Sequence, residues 1–141
     1  MTTQRDEHNL HKLLRLNKQD LDQRQSRLAD LQAAHASAHA SLDWLAQSVR
    51  QEELKMAQQA QPDLAAMQGF SAGMDAKKSA LLATMETLAA EIDEARSLVQ
   101  TAHQERQKLE HLLDRFQAEA KKKAAQKEAA AAQDIFARMG R

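Results

Sequence analysis

A chain of 141 residues has room for one domain, and the lack of cysteine excludes disulfides and thiolate metal sites. Twenty basic residues offset twenty acidic ones, which excludes a general electrostatic pull toward nucleic acid or anionic lipid. Aromatic content of 3%, with one Trp, three Phe and no Tyr, is poor material for a globular core, whereas abundant Ala, Gln, Leu, Lys and Glu favour long helices.

The start, Met1 to Leu10, is polar and charged, unlike a secretory signal. No apolar run approaches the ~18 residues needed to span a bilayer, so the expected compartment is the cytoplasm. From about residue 5 to residue 61 the first arm repeats every seventh residue, through Leu14, Leu21, Leu28, His35, Leu42, Val49 and Met56. Leu10, Leu31, Ala38 and Leu45 fill the companion row, which Asn17, Arg24 and Glu52 interrupt. A strict seven-residue period predicts a coiled-coil seam and excludes strands.

The stretch 62–74 holds the only proline, Pro62, and two of the three glycines, Gly69 and Gly73, and is expected to form the bend. A short helical turn over Asp63 to Gln68 is compatible with it, and Ser71 or, preferably, Asp75 would cap the second arm. That arm, about 75–139, carries Leu81, Leu88, Ala95, Ala102, Leu109 and Phe116 in one row. Met85, Ile92, Val99, Arg106, Leu113 and Ala120 form the other.

The expected fold class is therefore all-α, two long helices forming an antiparallel coiled-coil hairpin in a single domain. Pairing the rows so that facing positions sum to 137 sets Leu21 against Phe116, Leu28 against Leu109, Val49 against Leu88 and Met56 against Leu81. It centres the hairpin on Gln68 and Gly69; sums of 130 and 144, one heptad either way, remain open. Past Ala120 the seam fades into a Lys- and Ala-rich stretch of high helix propensity, and the chain closes on Ile135, Phe136 and Met139 without large partners.

No catalytic constellation is present: there is no Gly-rich phosphate loop, nucleophile elbow or His-Glu-x-x-His, and no cofactor or small-molecule substrate is expected. His35 and His39, with His103 nearby under the 137 pairing, form a conceivable metal trio, although a packed or hydrogen-bonded histidine is the plainer reading. Lys121 to Lys123 and Lys127, flanked by Glu119 and Glu128, read as a solvated face. Apolar residues the seam leaves unused are more informative. Leu16, Trp44 and Leu54 point outward, and Met67, Phe70 and Met74 crowd the bend, either as a plug closing the tip or as an interface.

The run Arg106-Gln-Lys-Leu-Glu-His-Leu-Leu-Asp-Arg115 late in the second arm, Arg15 and Leu21 to Leu28 in the first, and Val49-Arg50-Gln-Glu52 before the bend carry a resemblance. Lys127-Glu128 and Asp134-Ile-Phe-Ala-Arg138 extend it over nearly the whole chain. In size, bend and these segments the sequence resembles the FliJ family of flagellar type III export components and its YscO-type virulence-secretion counterparts. The resemblance implies a non-enzymatic stalk, monomeric by itself, that enters a hexameric export ATPase, contacts the export gate at the inner membrane and escorts export chaperones. It would assign Leu13, Leu16, Ile135, Phe136 and Met139 to the ATPase end, and Trp44, Phe70 and Met74, beside Met67, to the gate end. A self-associating coiled-coil scaffold is the alternative from another class.

Overall fold

The computed structural model describes residues 2–140, with side chains from Gln4 to Gly140. Two helices contact each other: α1, Thr2–Ala57, and α2, Leu64–Met139, with no strand among the described residues. The fold is an all-α helical hairpin. Neither Pro nor Gly interrupts α1, so its intrahelical hydrogen bonds run unbroken until the last turn tightens, where the Gln59 amide donates to the Met56 carbonyl at 3.3 Å.

Residues 58–63 link the helices, overlapping the expected bend at Pro62 and Asp63. The start of α2 is fixed by Asp63, not by Ser71 or Asp75. Its Oδ1 accepts from the amides of Ala65 at 3.1 Å and Ala66 at 3.2 Å, and its carbonyl accepts the first helical bond from Met67 at 3.0 Å. An N-cap carboxylate answers amides that the first turn would leave orphaned. Pro62 sits immediately before this cap, where its missing amide hydrogen costs nothing. Gly69 and Gly73 are consequently interior residues of α2, and neither has a positive φ. Glycine weakens a helix by only about 1 kcal/mol relative to alanine, so a capped helix in contact with a neighbour passes through it.

The chain divides into two compact units, one joining α1 up to Gln23 with α2 from Val99 onward, the other spanning Arg24–Leu98. In the first unit the core consists of Leu10, Leu21 and Ala102, the last with no exposed surface, and Asn17 is buried beside them. Asn17 Nδ2 donates to the Ala102 carbonyl at 3.2 Å, while its Oδ1 is buried with no hydrogen-bond partner. Gln117 Nε2 meets Glu7 Oε1 at 3.4 Å. In the second unit the buried residues are Leu45, Ile92 and Ala95, and Arg24 donates to the Leu98 carbonyl at 2.8 Å. In both units the seven-residue rows are the least exposed positions, as the periodicity predicts.

The register differs from the expected one. Interhelical bonds join residues whose positions sum to 119, 122 and 124, where 137 was expected. The arms are displaced by about two heptads, because a seven-residue repeat constrains register only to a multiple of seven and the cap at Asp63 moves the turning point ahead of the glycines. Ala102 therefore lies at the level of Asn17, one turn before Leu21, where the 137 pairing set Phe116 against Leu21. Leu28 and Leu109 belong to different units. Val49 and Met56 share a groove with Met67 and Met74 in place of Leu88 and Leu81.

Candidate functional site

Near the link the second unit holds a groove of about 790 Å³ between residues 42–56 of α1 and 64–78 of α2. Its floor is apolar, formed by Leu42, Leu45, Val49 and Met56 on one side and Leu64, Met67, Phe70 and Met74 on the other. Asp43, Arg50, Glu53, Asp75 and Lys78 rim it. Met67, Phe70 and Met74 are each half-buried, so they neither seal the tip as a closed plug nor stand free in solvent. Heptad spacing on both helices directs these side chains toward one another, and unbranched Met makes the floor adaptable. A concave apolar floor with a charged rim suits an apolar or amphipathic surface, and nothing in its lining resembles a nucleophile paired with a base.

Trp44 adjoins the groove in sequence but does not line it, and 68% of its surface is exposed. The indole offers a large apolar area to a partner. Leu54 and Leu64 are exposed in the same unit.

The remaining candidates lie in the first unit. Leu13 and Leu16 are exposed on α1, four positions or fewer from buried Asn17 yet off the seam. On α2 every described residue from Gln117 onward is exposed, since the contact of Gln117 with Glu7 already uses the first turns of α1. The end of α2 thus carries Ile135, Phe136 and Met139 into solvent, with Phe136 79% and Met139 81% exposed. Exposed large apolar side chains close together mark interaction surfaces more than scattered ones do. The run Arg106–Arg115 lies upstream of this end, with Leu109 and Leu113 half-buried and Arg106 Nε bonded to Glu110 Oε1 at 3.0 Å.

The conceivable histidine trio does not assemble. His39 Nδ1 lies 3.4 Å from Asp43 Oδ2 on its own helix, and His35 lines a small cleft with Gln32, Ala89, Ile92, Asp93 and Arg96. Among the described residues no group of three or more His, Cys, Asp or Glu side chains is placed to hold a metal ion. No described helix is long and apolar enough to cross a membrane.

Sequence reasoning missed two residues: Asn17, read only as an interruption of a row, and Asp63, read as part of the bend. Asp directly after Pro and before Leu-Ala-Ala was the available signal for the cap. Comparison with known proteins finds no family, no curated protein and no solved structure that this chain matches.

Proposed function

We propose that this chain is a non-enzymatic stalk of the FliJ type, serving a flagellar type III protein export apparatus or its virulence-secretion equivalent. The observation that carries the reading is the end of α2, which outruns α1 and presents Ile135, Phe136 and Met139 to solvent. Apolar side chains held on a helix without a partner helix suit insertion into a ring of another protein. Leu13 and Leu16, exposed in the same unit, extend that surface. The hexameric export ATPase would receive this end and supply the chemistry.

Trp44 and the groove floored by Phe70 and Met74 would meet the export gate, so that the protein works in the cytoplasm at the periphery of the inner membrane, and export chaperones would be handed over there. A stiff helical element held off-centre in a six-fold ring favours different subunits in turn and shifts their populations without reacting itself. The test is ATP turnover by the cognate hexamer with and without this protein. Stimulation that is lost with Ile135→Asp and Phe136→Asp together supports the reading; unchanged turnover at saturating amounts contradicts it.

A further inference from the structure

One chain carries both halves of a helix-in-groove contact. Ala132, Ile135, Phe136 and Met139, near the end of α2, stand at i, i+3, i+4 and i+7, the spacing with which a helix anchors itself in an apolar groove. All four are exposed, and the helix that presents them is already formed, so docking requires little further ordering.

The groove beside the link is the other half. At about 790 Å³ it has room for several side chains. Leu42, Val49, Met56, Met67, Phe70 and Met74 in its lining are only half-buried, so apolar side chains seated among them remove surface from water on both partners. Three of these are methionines, whose thioethers adapt to an incoming aromatic ring and make favourable contact with it.

Charge favours the same match. From Ala120 to Met139 the chain has five basic residues and two acidic ones. The rim of the groove has three carboxylates, Asp43, Glu53 and Asp75, against Arg50 and Lys78. A basic helix end approaching an acidic rim is electrostatically steered, and Arg138, next to Met139, is the cation nearest the apolar stripe in sequence.

We infer that the end of α2 in one copy of this chain docks in the groove of a second copy, with Phe136 seated among Met56, Met67 and Met74. Each surface is complete within its own unit, and the contact joins different molecules. Helix end and groove are different surfaces, so the contact is heterologous: two copies close on each other where both contacts form together, and chain onward where they do not. Either form covers the two surfaces that the export reading offers to partners, and a partner that takes one of them releases the other. The docking itself does not rest on the export reading.

Sedimentation velocity of the full-length protein over a concentration series tests it, with circular dichroism and melting to establish that each variant is folded. The wild-type weight-average mass is expected to rise with concentration to at least twice that of one chain. Ile135→Asp with Phe136→Asp should remain a single chain, and so should Met74→Glu. Ala46→Glu blocks the groove from an exposed lining position, where no packed side chain is lost, and replaces Met74→Glu if that variant melts early. Mixed in equal amounts, the end variant and the groove variant should associate again and stop at two chains, because one intact helix end and one intact groove remain between them. A wild-type protein that stays single at every concentration overturns the inference. Association that neither variant weakens overturns it as well, as does a mixture that stays single or grows past two chains. ATP turnover enters none of these readings, so this inference and the export reading fail separately.

Discussion

The two ends of α2 are both helical, for opposite reasons. Its first turns contain two glycines and should be poor helix, yet the Asp63 cap and the apolar residues of α1 facing Met67, Phe70 and Met74 hold them in place. Its last turns are rich in Ala, Lys, Glu and Gln, and every described residue from Gln117 onward is exposed. The first end is helical by contact, the second by composition. Large apolar residues at the first end are partly used by the fold. At the second end they are not, which is why Ile135, Phe136 and Met139 carry the functional reading.

Mutations can break or sharpen this contrast. The largest effect belongs to neither end but to the seam that both are measured against: Leu21→Ala, at a position 4% exposed, should cost about 2–4 kcal/mol in denaturant unfolding. Next, Gly69→Ala with Gly73→Ala should stabilise by about 1–2 kcal/mol together, because the added methyl groups meet no atom and the helix gains propensity. A loss of stability there would mean that those turns need glycine for a contact or a bend. Smallest is Phe136→Ser, expected to change stability by less than about 0.5 kcal/mol, since an exposed side chain has little burial to lose. A larger destabilisation in thermal melting would show that the end of α2 packs in solution.

The seven-residue rows made the two helices, their seam and the exposed set legible from sequence. Leu10, Leu21, Leu45, Ile92, Ala95 and Ala102, all read as seam positions, are the buried apolar residues. Register was not legible, because rows repeating every seven residues satisfy several alignments and the choice rested on where the chain turns. Pro62, Gly69 and Gly73 fall in the single stretch 62–74, and sequence alone did not separate the residue that ends a helix from those a helix tolerates. Local chemistry at Asp63 decided it. Of the candidate surfaces, outward positions such as Trp44 followed directly from the heptad, whereas the groove followed only from the corrected register, which brings Met67 and Met74 opposite Val49 and Met56.

The register at Asn17 is the claim on which the exposed end of α2 depends, and disulfide trapping in the first unit tests it directly. With Leu21→Cys paired in turn with Ala102→Cys and with Phe116→Cys, the protein, diluted so that closure is intramolecular, should form the Ala102 bridge readily and the Phe116 bridge no faster than an off-seam control. Rapid closure of the Phe116 pair, with none for Ala102, would contradict that register and the free end of α2 derived from it.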